Sequence, residues 1–369
     1  MSVPASGIYE HFLDLLSADT ATGSGETPRN GGGPHSRRAR YGEGLDASGA
    51  ARPHFLTRDD WVRNQIDMAL ALDSVLTEDD IVMVAAPYEL SFTGAVVERA
   101  AEMMGATVLS VGTSNTICPI PRALGLIRRY EVTALVCSPT LATEMADVDV
   151  SLGGRPGDST IRRILCTGEA LSPSRLGRIG DLWRATATPV FGTDSTPTVA
   201  VPCAYGALHL CEHRLRATLR GAAGDASAVA ADVRGELLLA PAGSSPTQGV
   251  ATGELVELRP DPKCPCGDGS TVLTPLGRVA DAVPSPSGPV SAVDVERVVF
   301  ESPGLSPHFS WEIRDGAFHV TCAADPGAGR GREPARSLKA RVRDELGVDV
   351  DVAIVEAGDR QGDGSRPAP

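Results

Sequence analysis

A chain of 369 residues has room for two or three domains, and 42% hydrophobic residues support a real core, which 4% aromatics leave mostly to Leu, Val and Ala. The formal net charge of −13 argues against nucleic acid as a partner, because phosphate contacts need a basic face. No run approaches about 18 apolar residues, and the start MSVPASGIYEHFLDLL lacks the basic head and apolar stretch of a secretory signal, so a cytoplasmic protein without membrane contact is expected.

In chain order, residues 1–20 carry a short amphipathic pattern, and 21–53, rich in Gly, Ser and Arg, read as loop or a flexible, partly ordered arm. From Thr57 the pattern sharpens. TRDDWVRNQIDMALALDSV offers a Thr cap, early acids and helical spacing of Trp61, Ile66, Met68 and Leu72. DDIVMVAAP, ATVLSVG, VTALVCSP and IRRILC read as short strands, with TGAVVERAAEMMG and IPRALGLIRRYE as helices between them. This alternation from about 57 to 200 predicts a mainly parallel sheet with helices packed on it. After about 200, ALHLCEHRLRATL and GELLLAP predict a more antiparallel region, and a third, small α+β unit runs from VSAVDVERVVF to VDVDVAIV. The boundaries that follow are an arm at 1–53, a body at 54–280, a small unit at 281–358 and a disordered tail at 359–369.

Eight cysteines, reduced in a cytoplasmic setting, are most informative where they cluster. Taken singly, a cysteine reads as a small buried residue, and Cys118, Cys137, Cys166 and Cys322 sit in apolar, strand-like runs that fit a core. Cys264-Pro-Cys266-Gly is different: a tight knuckle lets two thiolates converge on one ion. Upstream, VPCAYGALHLCEH supplies Cys203, His209, Cys211 and His213; a strand over 207–213 would put His209, Cys211 and His213 on one face. Cys203 and His209 with Cys264 and Cys266 would close a Cys3His site, a donor mix that suits structural zinc.

Several stretches, in order and spacing, resemble the phenylacetate–CoA ligase branch of the adenylate-forming enzymes over about residues 45–366. They are PYELSFTGAVVERAAEMMGATVLSVG, CTGEALSPSRL, PVFGTDSTP, CAYGALHLCEH with CPCG, GVATGEL and GRVADAVPSPSGPVSAVDVE. The resemblance implies an α/β adenylate-forming enzyme fold: a large N-terminal α/β body, a β-rich zinc-stapled region and a small C-terminal α+β lid. It implies an enzyme that activates a carboxylic acid with ATP and magnesium and passes the acyl group from AMP to coenzyme A. By the same resemblance, Tyr88, Phe92 and Thr93 line the acid pocket. The turn of Gly168 and Glu169 lies against the adenine, Phe191 and Gly192 of the aromatic-Gly-x-Thr-Glu motif bind the nucleotide, and Asp281 is the hinge.

The resemblance also marks departures. The phosphate cradle is thinned to Ser48, Gly49 and Arg52, with Arg52 in the place of a lysine. The magnesium-binding Glu falls at Ser195, with Asp194 beside it. Glu254 stands for the ribose-holding Asp, and Arg278 precedes the hinge. The lid lysine, which would neutralise charge at the α-phosphate, falls near Ser365, with Arg366 as the nearest cation; the chain's only lysines are Lys263 and Lys339. Two readings stay open. One is a divergent ligase for an aromatic or short acyl acid, with Asp194 and Arg366 catalytic. The other is a disabled homologue that binds an acyl ligand or a partner. A small carboxylic acid, a second copy of the chain and an acyl-acceptor protein are the partners these readings name.

Overall fold

The computed structural model describes residues 38–45, 51–113, 115–221, 224–226, 233–244, 249–260, 263–325 and 334–355. Ser48, Gly49 and Arg366, the helical pattern at 1–20 and the tail at 359–369 lie outside them. Part of the segment read as loop is strand: β1 (Arg38–Leu45) pairs antiparallel with β2 (Ala51–Thr57). Its Gly-rich composition misled because the two inward positions of β1 are glycines for a packing reason given below.

Helix α1 (Arg58–Leu72) starts where the sequence places it. The Asp60 N–H donates to Thr57 Oγ1 (3.1 Å) while Asp60 Oδ2 accepts from the Thr57 N–H (3.3 Å), a reciprocal cap. Thr57→Ala should cost about 1 kcal/mol in urea unfolding; an unchanged midpoint would show that packing alone sets this helix start.

Five parallel strands follow: β3 (Ile81–Ala85), β4 (Thr107–Ser110), β5 (Ala134–Cys137), β6 (Arg163–Cys166) and β7 (Thr186–Pro189), in the order β4-β3-β5-β6-β7. Helices α2 (Thr93–Met103), α3 (Ile120–Tyr130), α4 (Pro139–Ser151) and α5 (Pro173–Trp183) connect them. The central strands β3 and β5 are continuous apolar runs because both faces are covered. Val82 and Val84 face a core with Met68, Leu72, Val96 and Val97 from α1 and α2, and Met83 and Ala85 face a second with Leu124, Ile127, Met145 and Trp183. Cys137 and Cys166 lie in that second core, where burial pushes the Cys166 thiol up to about 12, so both act as small apolar side chains. Cys118 and Cys322 are likewise buried.

The rim where these strands begin is held by Asp80, whose side chain is fully buried. It accepts hydrogen bonds from Thr133 Oγ1 (2.6 Å), the Thr77 N–H (2.8 Å) and Arg162 Nη2 (3.1 Å), and Arg163 Nη1 lies 3.3 Å away.

A seven-stranded antiparallel sheet comes next: β8 (Ala200–Pro202), β9 (Leu208–Leu210), β10 (Leu215–Gly221), β11 (Gly224–Ala226), β12 (Val233–Pro241), β13 (Val250–Arg259) and β14 (Val272–Arg278), in the order β11-β10-β12-β13-β14-β9-β8. A short hairpin, β15 (Val283–Ser285) with β16 (Gly288–Val290), leads to the C-terminal unit. There α6 (Ala292–Phe300) and α7 (Ala335–Leu346) pack on β17 (Leu305–Arg314), β18 (Ala317–Ala324) and β19 (Val350–Val355) around Val295, Val299, Phe318, Val320 and Leu338. No described helix is long and apolar enough to cross a membrane.

Candidate functional site

The strand expected over 207–213 ends at Leu210. The Arg214 N–H turns back to the Cys211 carbonyl (3.0 Å), which buries Cys211 and sends His213 to Asp67 (Nε2 to Oδ1, 2.8 Å). His209 remains on β9, beside Val272 of β14, and so faces the loop that precedes β14. That loop is the Cys-Pro-Cys knuckle, closed by the Gly267 N–H to the Cys264 carbonyl (3.0 Å) with Gly267 at φ +83°.

The ligand atoms of Cys203, His209, Cys264 and Cys266 all lie within 4.8 Å of one another. Cys264 and Cys266 sulfurs are 3.3 Å apart, Cys203 Sγ is 4.0 Å from Cys264 Sγ, and His209 Nε2 is 3.3 Å from Cys266 Sγ. On the far side of the ring, His209 Nδ1 is 3.3 Å from the Ser270 carbonyl. A carbonyl only accepts, so this contact is made by the tautomer with the proton on Nδ1, which leaves the Nε2 lone pair to face the sulfurs; the Ser270 Oγ also lies 3.4 Å from Nδ1. The Asp268 N–H donates to Cys266 Sγ (3.3 Å). Three cysteine sulfurs and one imidazole form a four-donor group able to hold a metal ion.

Strand β14 runs from this group to a second one. Its seven residues span about 20 Å, from Val272 beside His209 to Arg278 opposite Glu254 of β13. Burial pushes the half-buried Glu254 carboxyl up to about 7; Arg278 opposes the rise, and the charges of Asp194 and Asp281 add to it. Burial also raises the Asp281 carboxyl, again against Arg278. Four of the residues singled out in the sequence therefore interact across one corner of the molecule.

That corner adjoins the carboxyl edge of the parallel sheet, where open α/β sheets bind ligands. After β7, Phe191 is buried and Gly192 leads into a tight turn. The Thr193 N–H donates to the Thr196 carbonyl (2.8 Å), leaving Asp194 and Ser195 exposed at the tip. Strand β1 lies over this tip: any side chain at Gly44 would collide with the Asp194 carboxylate. Arg52 is opposite Gly44 in the hairpin register, so it stands on the face that covers Asp194.

Gly168 and Glu169 follow β6, and Glu169 Oε2 accepts a hydrogen bond from Thr140 Oγ1 (2.7 Å) in the first turn of α4. Thr140 escaped the sequence reading, although its place just after a buried parallel strand could have flagged it. Of the expected pocket wall, Phe92 is buried in the core against Trp61, with Gly42 of β1 so close that a Cβ there would fall 2.7 Å from its ring. Tyr88 is half-buried and donates to Glu98 Oε2 (2.7 Å), an acid the sequence reading missed, and Thr93 opens α2. A cavity of about 520 Å³ between α5 and β7, lined in part by Arg162, Leu176 and Arg184, contains none of these residues.

No family model matches the chain, and no curated protein sequence does. Solved structures do. A 2-hydroxyisobutyryl-CoA ligase in the postadenylation state, in complex with 2-HIB-AMP, matches with a TM-score of 0.74 at 16% identity, over 89% of this chain and 72% of that one. The same ligase scores 0.63 in an open conformation and 0.59 in the thioesterification state, each at 16% identity and over 90% of this chain, covering 75% and 74% of the ligase. A benzoate CoA ligase from Burkholderia xenovorans LB400 matches at 0.61 with 17% identity, over 93% of this chain and 69% of its own. The amide bond synthetase McbA from Marinactinospora thermotolerans matches at 0.60 with 17% identity, over 94% and 74%. The parallel sheet, the antiparallel sheet and the C-terminal α+β unit together make this chain a divergent bearer of the adenylate-forming fold.

Proposed function

We propose that the chain is an AMP-forming acid ligase that binds ATP and magnesium at the corner formed by Asp194, Glu254, Arg278 and Asp281, and activates an aromatic or short acyl carboxylic acid for transfer to coenzyme A or another acceptor. The observation that carries this reading is the mutual influence of those four residues. Burial, with the charges of Asp194 and Asp281 adding to it against Arg278, pushes the Glu254 carboxyl up to about 7, and a divalent cation would favour its charged form. Asp194 at its exposed tip offers the hard oxygen donor, Glu254 the acceptor for ribose hydroxyls, and Arg52 a cation on the face above them. Arg366 is assigned the charge-neutralising role of the lid lysine on the sequence resemblance alone.

Equilibrium titration with MgATP tests the reading first, and pyrophosphate release across a panel of aryl and short acyl acids tests it second. Saturable binding with acid-dependent pyrophosphate release is expected; no binding of MgATP would overturn the reading.

A second reading, a homologue that has lost adenylation and binds an acyl ligand or a protein partner, is favoured by one feature. The backbone of β1 lies against the Asp194 side chain, so close that Gly44 leaves no room for a Cβ between them. MgATP binding separates the two readings. Both share a structural zinc at Cys203, His209, Cys264 and Cys266, supported by the closeness of the four donors and the orientation of His209.

A further inference from the structure

The C-terminal unit meets the body through α5, through α4, and through Arg234 of β12, whose guanidinium donates to both Asp294 carboxylate oxygens (2.8 and 3.0 Å), and the contact at α5 is polar and buried. Arg175 of α5 and Glu296 of α6 have side chains only 5% and 3% exposed, with Arg175 Nη1 3.2 Å from Glu296 Oε2. Neither is left with bare polar atoms. Glu296 Oε1 accepts the Ser172 N–H at the cap of α5, and Arg175 Nε donates to the Pro307 carbonyl of β17 (2.9 Å).

One turn along α5, Arg178 reaches the same unit. Its Nη2 donates to the Ser302 (2.7 Å) and Phe300 (3.1 Å) carbonyls and its Nη1 to the Leu305 carbonyl (2.8 Å). The carbonyls at the end of α6 have no partner within the helix, so a guanidinium from the body caps a helix of the other unit. Further along β17, His308 Nε2 lies 2.7 Å from Asp147 Oδ2 of α4.

We propose that Arg175, Arg178 and Glu296 form a latch that holds the C-terminal unit in this one orientation on the body. A buried ion pair adds little over an apolar contact while it is intact, but separating it strands two charges away from their partners. The latch therefore gives no strong preference for packing in general and a strong preference for this packing in particular. The 2-hydroxyisobutyryl-CoA ligase provides a separate observation: the match is highest for its postadenylation state and falls for its open and thioesterification states. Arg175 and Arg178 are positioning residues in this account, and the latch does not depend on which acid, if any, the protein activates.

Hydrogen exchange on the full-length protein tests it, comparing segments 170–176 and 300–308 with the buried strands β5 and β6. Arg178→Ala and Glu296→Gln should each speed exchange at the two interface segments by about tenfold, the effect of losing a charged hydrogen bond, and leave β5 and β6 unchanged. Small-angle scattering should show a larger radius of gyration for both variants. Interface protection equal to wild type in both variants, or lost in step with β5 and β6, would overturn the latch.

Discussion

Cys264→Ser should abolish the zinc binding proposed for the four-donor group and lower stability by on the order of 4 kcal/mol, at the large end of single-substitution effects, where loss of a metal belongs. The effect is large because the four donors tie the turn after β8, the strand β9 and the loop before β14, segments some sixty residues apart in sequence. Among the described residues β9 meets β14 in register only at Val272 and His209, with the Leu210 N–H donating to the Thr271 carbonyl (2.9 Å) beside it, so a metal at the four donors would add a second tie for the edge pair β8–β9. Metal analysis of the purified protein should find about one zinc per chain. Chelation should reproduce the loss in the wild-type protein and add nothing in the Cys264→Ser variant. A metal-free wild-type protein with an undiminished melting temperature would rule out the zinc staple.

MgATP should bind more tightly as pH rises through about 7, the value to which burial and its acidic neighbours push the Glu254 carboxyl. Below that point the site must lose a proton before it can take a cation, so affinity should climb by up to about tenfold per pH unit and then level off. Glu254→Gln should weaken binding about tenfold and flatten the profile. Without ligand, the same shift acts on stability in the opposite direction. The folded protein holds a proton on Glu254 that the unfolded chain, with the ordinary value of 4.5, gives up earlier. Its contribution is therefore complete below 4.5 and lost as pH climbs through about 7. A wild-type affinity that stays level from about pH 6 to about pH 8 would remove Glu254 from the site.

Much of this was legible in the sequence, for identifiable reasons. Thr57 and Asp60 announced α1 because capping is local chemistry between residues three apart. The spacing of Cys264 and Cys266 announced a knuckle, and the Cys/His cluster VPCAYGALHLCEH upstream pointed to Cys203 and His209 as partners. What the sequence hid depends on contacts between distant segments. The end of β9 at Leu210 is dictated by Asp67, which draws His213 and Arg214 toward α1. The burial of Phe92 depends on a hairpin that begins some fifty residues earlier. Gly42 and Gly44 looked like loop formers and are instead the flat side of a strand lying on Phe92 and Asp194. The buried pair Arg175–Glu296 joins residues 121 apart, and no periodicity records such a meeting.

The Asp80 clamp gives the parallel sheet a mechanical asymmetry. One carboxylate gathers the starts of β3, β5 and β6, so the amino rim is tied at a single point, while the carboxyl rim is joined by separate contacts such as Thr140 Oγ1 to Glu169 and the Thr167 N–H to the Cys137 carbonyl. Thermal motion in the sheet should then grow from the tied rim toward the opposite one, like a fan hinged at its handle. The compliant rim is the one that carries Glu169 and Asp194, so the architecture gives any bound ligand side chains that can adjust by small displacements without disturbing the sheet that supports them.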